Sequence, residues 1–329
     1  MFGYLRFFLA FIVALSHIGV KFYGLNPGVI AVVIFYILAG FVVSHLLKDI
    51  FVVNTTTPLK QNILPFYKDR INRIFPLYLY VITITTLFLL LTSYANPSFT
   101  PFNILTNLSI IPLNYYMYLD NTVLTEPNWW LVPPAWSLGT ELQAYLLLPF
   151  TLLFRNLKIF SLIVSITIYM LANLTIIHTD HFGYRFIVGV FFIFLLGSAI
   201  QSDKKTDRYY IVLIWLSAII LTPLSLYTDS FSHIYSKETF IGLLIGIPLV
   251  YTLSHTKIKL PYNKILGSLS YGIFLTHFLA IWILAYLEIK SHITLTYILQ
   301  LSTISLALSY IGVKLTEPTQ TKHFRIKIQ

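Results

Sequence analysis

Six side chains in this chain carry groups that apolar surroundings resist. In LRFFLAFIVALSHIGV, residues 5–20, Arg6 and His17 stand eleven positions apart. On a helix that spacing is about three turns and roughly 16 Å of rise. His277 lies in LGSLSYGIFLTHF and Glu141 in AWSLGTELQAYLLLP, while FYKDRINRIFPLYLY sets Arg70 and Arg73 three apart. A neutral imidazole is a general base or a transient nucleophile. A carboxylate orients a partner or accepts a proton. Paired guanidinium groups recognise phosphate through parallel hydrogen bonds. Such a set describes proton transfer beside a site for a phosphorylated ligand.

Each group also has a plainer reading. Either imidazole could be a packed side chain donating to a backbone carbonyl. Ser137 stands four before Glu141 and shares its helix face. The two would then cap a helix and complement its dipole. Arg70 and Arg73 could anchor a helix at a membrane surface.

The elements that must hold these groups are membrane helices. The chain has 329 residues, 57% hydrophobic and only 10% charged, where soluble domains are about 25% charged. With no cysteine, disulfides, thiolate metal sites and cysteine nucleophiles are excluded. Ten apolar stretches are each long enough to cross a hydrocarbon core of about 30 Å. They lie near 5–24, 28–48, 74–95, 136–154, 158–178, 184–201, 208–227, 239–255, 265–288 and 293–315. The segment 96–135, rich in Pro and Trp, reads as a structured extracytoplasmic loop with a short helix near 103–111. The expected fold is therefore all-α: a single polytopic membrane domain over 1–329, with no extra soluble domain.

Orientation follows from the cations. With the N-terminus inside, eighteen of the 22 Lys and Arg fall on the cytoplasmic side, and Lys21, Arg185, Lys237 and Lys290 outside. That bias places both termini in the cytoplasm. It also explains the excess of base over acid as topology rather than affinity for nucleic acid. A cleaved signal peptide is disfavoured, because HIGVKFYGLNPG offers no convincing small-residue cleavage site. His17 lies twelve residues beyond Leu5 and His277 twelve beyond Ile265, in spans that run the same way. Equal depth near mid-membrane is expected for the two rings. Ionisable groups at that depth are functional candidates.

Other signals are weak. HTDH at 178–181 lacks a ligand set for a metal, GSLSYG has the wrong spacing for a nucleophile elbow, and no Walker or dinucleotide motif occurs.

The motifs together resemble the acyltransferase-3 family of membrane acyltransferases that modify cell-surface glycans. Arg6 and His17 have its R-x10-H spacing, and IFYILAGFVVS at 34–44 is similar to its second-span pattern, with Ala39 where Ser is common. FYKDRINRIFPLY matches its arginine motif, WSLGTE at 136–141 its Trp-Ser-Leu-x-x-Glu motif, and SYGIFLTH and the Glu-Pro at 317–318 later landmarks. The resemblance implies transfer of an acyl group, usually acetyl, from cytoplasmic acyl-CoA to a sugar or glycan hydroxyl. It implies a bacterial inner-membrane location and no metal.

On that reading His17, Glu141 and His277 do the chemistry, and Arg6, Arg70 and Arg73 hold the donor's phosphates. Trp129, Trp130, Trp136 and Ser137 contact the acceptor, although interfacial anchoring explains the Trp residues equally well. The rival is a transporter or flippase of a glycan precursor, which would also have a mid-membrane site. It lacks support from any inverted repeat or pair of broken helices. A non-catalytic scaffold would not need these charged groups together.

Overall fold

A computed structural model describes residues 1–51, 58–202, 204–228, 233–289 and 293–321. Among them are eleven α-helices: α1 Phe2–His17, α2 Pro27–His45, α3 Leu59–Thr92, α4 Pro101–Ser109, α5 Ala135–Leu153, α6 Arg155–Asn173, α7 Ile187–Ile200, α8 Lys205–Tyr227, α9 Ser236–His255, α10 Asn263–Tyr286 and α11 Leu295–Thr321. A short antiparallel pair, β1 Leu124–Thr125 and β2 Asn128–Trp129, interrupts the loop between α4 and α5.

Among the described residues, eight helical stretches are long and apolar enough to cross a membrane. The expected first span, 5–24, is shorter than the sequence reading gave. α1 stops at His17, where Ile18 and Gly19 turn back onto the carbonyls of Leu15 and Ser16, and Gly19 takes a φ of +93°. A residue with a Cβ rarely adopts that conformation, so the helix ends there. His17 thus occupies a helix terminus, not the interior of a span. The third helix starts at Leu59 rather than near 74, carrying Arg70 and Arg73 on continuous helix. α5 matches the expected fourth span closely but is not among the eight. The expected short helix near 103–111 is α4, followed by a 3-10 turn over Ile111–Tyr115. Of the cations used for orientation, Lys290, Lys322, Arg325 and Lys327 lie outside the described residues.

The chain divides into two compact units, each assembled from separated segments. The first comprises 1–20, 69–139 and 259–329. Its central helix is α10, largely buried, with α1 on one side and α11 on another. Small residues let backbones approach, as in membrane helix packing generally. A Cβ on Gly272 would meet Ser309 Oγ at 2.0 Å, and Ser309 donates to the Leu269 carbonyl at 2.9 Å. α3 joins the same unit through Tyr271, which donates to the Ile74 carbonyl at 3.2 Å.

The second unit comprises 21–68 and 140–258. Its centre is α7, apolar on every side and almost wholly enclosed, whereas α6 and α8 leave most of their apolar surface exposed. An all-round apolar helix must be buried, and outward apolar faces suit lipid. α2 crosses α7 where Gly40 and Gly197 sit against the carbonyls of Phe194 and Ile37. Two ion pairs lie in it: Lys158 of α6 with Asp207 of α8, and Arg185 with Asp180 just before α7, both at 2.7 Å.

Candidate functional site

The register between α1 and α10 positions the chemistry. At the start of both helices, the Gly3 amide donates to Asn263 Oδ1 at 2.8 Å, and Tyr4 Oη donates to the Pro261 carbonyl at 2.8 Å. Only glycine fits at position 3, because a Cβ there would stand 1.8 Å from the Asn263 carbonyl oxygen. Fourteen residues separate Gly3 from His17, and fourteen separate Asn263 from His277. Two parallel helices pinned at Gly3 and Asn263 therefore bring both imidazoles to one level, about 21 Å along. Ile18, just past His17, packs on the apolar cluster of Ala280, Leu284, Tyr297 and Leu301 and anchors the far end of α1.

The expected equal depth of the two rings becomes direct contact: His277 Nε2 lies 2.9 Å from His17 Nδ1. Their planes are 18° apart and their centroids 5.0 Å apart. That separation is close to the bond length plus the two ring radii, so the rings meet edge to edge along the lone-pair direction rather than face to face. The other nitrogen of His277, Nδ1, lies 3.2 Å from the Ile273 carbonyl. His277 is completely buried, whereas His17 is exposed.

An aromatic wall lines this pair. The Phe278 ring is 4.8 Å from His17 and 5.1 Å from His277. Trp129 packs edge-on against Phe278 at 5.2 Å, and Trp282 lies beyond it at 6.1 Å. Trp129 reaches Phe278 because β2 carries it, and buried amides hold that hairpin. Asn107 donates to the carbonyls of Asn103 and Asn121 and accepts from the Leu131 amide. Asn103 donates to the Ser98 and Thr122 carbonyls and completes a capping box with Thr100. Satisfied buried amides of this kind fix a loop in one conformation.

The remaining candidates are carried by α1, α3, the hairpin loop and α5. Arg6 stands on α1 eleven residues before His17, near to three whole turns, so the two share a face. Arg70 is engaged by the neighbouring Asp69 carboxylate, with Nε at 3.0 Å from Oδ2. Arg73 follows one turn later on α3. Trp130 is buried and packs on Tyr116 at 4.7 Å, while Trp136 and Ser137 are both buried. Ser137 does not cap: it lies within α5 and donates to the Pro134 carbonyl at 3.1 Å. Glu141, in the second unit, falls beyond the first turn of α5 and accepts a hydrogen bond from Tyr145. His178 and His181 stack at 4.0 Å, and the Asp180 between them binds Arg185 rather than turning toward a metal. Among the described residues no group of three His, Cys, Asp or Glu could hold a metal ion.

Sequence reasoning missed Phe278 and the Gly3–Asn263 contact. The equal fourteen-residue offsets are the signal that could have found the second. Phe278 directly follows a candidate histidine, but only the hairpin's return makes it part of a wall.

Comparison with known proteins places these motifs in context. A family model described as an acyltransferase domain, Acyl_transf_3, matches residues 2–314. A protein of Aquifex aeolicus (strain VF5), carrying the description "Uncharacterized protein", is 45% identical over 214 residues, covering 61% of this chain and 95% of that protein. No solved structure matches the chain.

Proposed function

This chain belongs to the acyltransferase-3 family, whose model covers nearly all of it, and from that premise we propose that it moves an acyl group from acyl-CoA to a hydroxyl of a sugar or glycan. The chain is an integral membrane acyltransferase. The donor, the acceptor and the residue roles are our reading. Acetyl-CoA is the first donor to test. The observation that carries the proposal is the exposed imidazole of His17 hydrogen-bonded to the buried imidazole of His277.

In the proposed step His17 takes the proton of the acceptor hydroxyl as its oxygen attacks the thioester carbonyl carbon. The new C–O bond forms, the C–S bond breaks, and the CoA thiolate leaves. The proton on His17 then passes to sulfur, giving ester and free CoA. Arg6, Arg70 and Arg73 serve the donor's phosphates, Arg70 exchanging part of its contact with Asp69 for phosphate oxygen. Trp129, beside Phe278, is the stacking surface for the acceptor ring, with Trp130, Trp136 and Ser137 as its buried support. Glu141 acts on the acceptor side through the hydroxyl it shares with Tyr145. We also propose that α1 and α5 complete ten spans with both termini cytoplasmic in a bacterial inner membrane, and that residues 1–329 act as one domain. The cation bias supports that orientation.

The test is CoA release by the purified protein in detergent, with and without a glycan acceptor. Slow release that the acceptor accelerates is expected; none with any acyl-CoA ends the proposal and revives the flippase. Arg70→Ala and Arg73→Ala should each weaken acyl-CoA binding by about 1–3 kcal/mol, the scale of a lost charged hydrogen bond. Lysine should restore only part, since the planar fork is lost. Unchanged affinity in both folded alanine variants would return these arginines to anchoring.

A further inference from the structure

The short helix α4 is built inside out. Its buried positions, 103, 106, 107 and 110, follow the helical period, and three of the four are polar: Asn103, Thr106 and Asn107. Each of those polar side chains has a partner. Asn103 and Asn107 hold the hairpin, and Thr106 donates to the Asn103 carbonyl at 3.0 Å. The opposite face carries Phe102, Ile104, Leu105 and Leu108, all exposed, Leu105 to 63%. The outward hydroxyl of Ser109 turns back onto the Leu105 carbonyl at 2.7 Å, so it too is satisfied within the helix. A helix lying on a protein surface in water has the reverse polarity. The surrounding sequence does not suit water either: no Asp, Glu, Lys or Arg occurs from Ile74 to Leu119.

Tyr78 fixes how deep α4 lies. It is wholly buried on α3 and donates to the Asn107 carbonyl at 2.6 Å. Tyr78 stands near the middle of the apolar stretch Ile63–Thr92, about 21 Å before its end. α10 gives the same level. Tyr271 donates to the Ile74 carbonyl, and Tyr286 meets Phe88 at 5.9 Å, fifteen residues further along α10 and fourteen along α3. The two helices therefore run parallel and in step, which sets Tyr78 level with Leu275, within a turn of His277. α4 starts just past the end of α3 and reaches the depth of the imidazoles. We infer that the outward face of α4 is a lipid-contact surface, covered by acyl chains of the leaflet at the Thr92 end of α3, which is the outer leaflet in the proposed orientation. Acyl chains suit a face that needs no hydrogen bond and bears no charge. The hairpin that carries Trp129 hangs from the inward face through Asn103 and Asn107. Lipid on one side of α4 and hydrogen bonds on the other thus hold Trp129 against Phe278. The packing and composition of the first unit carry this, and the acyl-transfer reading does not enter.

The chain has no cysteine, so single-cysteine variants of the full protein each report one position. Nitroxide labels on Leu105→Cys and Leu108→Cys would be compared in liposomes of phosphatidylcholine and phosphatidylglycerol. The references are Leu213→Cys, exposed on the apolar α8, and Lys21→Cys, an exposed cation between α1 and α2. Electron paramagnetic resonance with dissolved oxygen and with a water-soluble nickel chelate reads what surrounds each label. Oxygen collisions at Leu105 and Leu108 should be close to those of the Leu213 label. Nickel collisions should fall at least about tenfold below those of the Lys21 label, because hydrocarbon excludes a polar solute. Nickel collisions equal to those at Lys21 would put the face in water and overturn the inference. Few collisions with either reagent would put protein there and overturn it as well. Spectral broadening that fades on dilution with unlabelled protein would identify that protein as a second copy. Each position is read separately, so a variant that does not fold leaves the other to decide. If the label disturbs both, the bare thiols are tested with a membrane-impermeant maleimide. Protection until detergent is added is expected, and labelling as fast as at Lys21 overturns the inference.

Discussion

The two units differ in the polar pairs that join their helices. In the second, charged groups meet their opposites, Arg185 with Asp180 and Lys158 with Asp207, and Glu238 accepts from the Asn26 backbone amide. In the first, which also holds the Arg70–Asp69 pair, two imidazoles share a hydrogen bond between α1 and α10. An ion pair offsets the charge of both partners. In the imidazole pair His277 is held at both nitrogens, by the Ile273 carbonyl and by His17. On the proposed mechanism the contrast separates polar groups that hold helices together from polar groups arranged for reaction. The exposed Arg–Asp and Lys–Asp pairs of many proteins add little stability, but those here are mostly enclosed, and losing one partner leaves a charge in poor surroundings.

The largest effect is expected at His17. If the pair is the reactive centre, His17→Gln and His17→Ala should fold and bind acyl-CoA yet transfer at least about 10²-fold more slowly, the usual scale for a general base. Single-turnover rates with a donor-binding measurement on the same preparations would show it. Near-normal transfer by His17→Gln would make the imidazole pair as structural as the ion pairs, and the base would have to be sought elsewhere.

Much of that centre was legible before any coordinates, for physical reasons. Apolar runs with few charges define spans because lipid leaves backbone groups no other partners, and equal counts from the span starts aligned His17 with His277. Helix ends were less legible. The apolar HIGVKFYG reads as continuing span, yet the positive φ at Gly19 stops α1 at His17. The cations before residue 74 read as lying ahead of the third span, although Leu, Lys, Arg and Gln are good enough helix formers for the helix to begin at Leu59. The Trp129–Phe278 contact joins residues about 150 positions apart through a hairpin held by Asn103 and Asn107. Local composition carries no record of it. Ser137 misled, since a serine four before an acid suits a cap, but the helix began two residues earlier.

An intermediate effect is expected from the ion pairs. Asp180→Asn and Arg185→Met should each lower the stability of the purified protein by about 1–3 kcal/mol, as for a charged hydrogen bond lost in a half-buried site. Transfer per folded molecule should stay near that of the parent. Thermal unfolding in detergent alongside the CoA-release assay separates the two. Full stability with lost transfer would place Arg185 in the working machinery and dissolve the contrast between the units.

The smallest effect is expected at the remote end of the α1–α10 register. Asn263→Ala removes the acceptor for the Gly3 amide and should cost about 0.5–1.5 kcal/mol, the net value of an ordinary hydrogen bond. Register has other supports. Tyr4 still bonds the Pro261 carbonyl, Gly3 still seats against the α10 backbone, and Ile18 still packs on the Leu284 cluster past His17. The imidazoles, fourteen residues away on both helices, should keep their bond, and transfer should fall only slightly. Comparing Asn263→Ala with His17→Gln in the same assay therefore tests whether the centre depends on packing along the whole interface or on one polar pin. A loss in Asn263→Ala as deep as that in His17→Gln would mean that α1 slides once the pin is gone. The His17–His277 contact would then be a balanced arrangement set from about 21 Å away, and α1 would be the mobile partner.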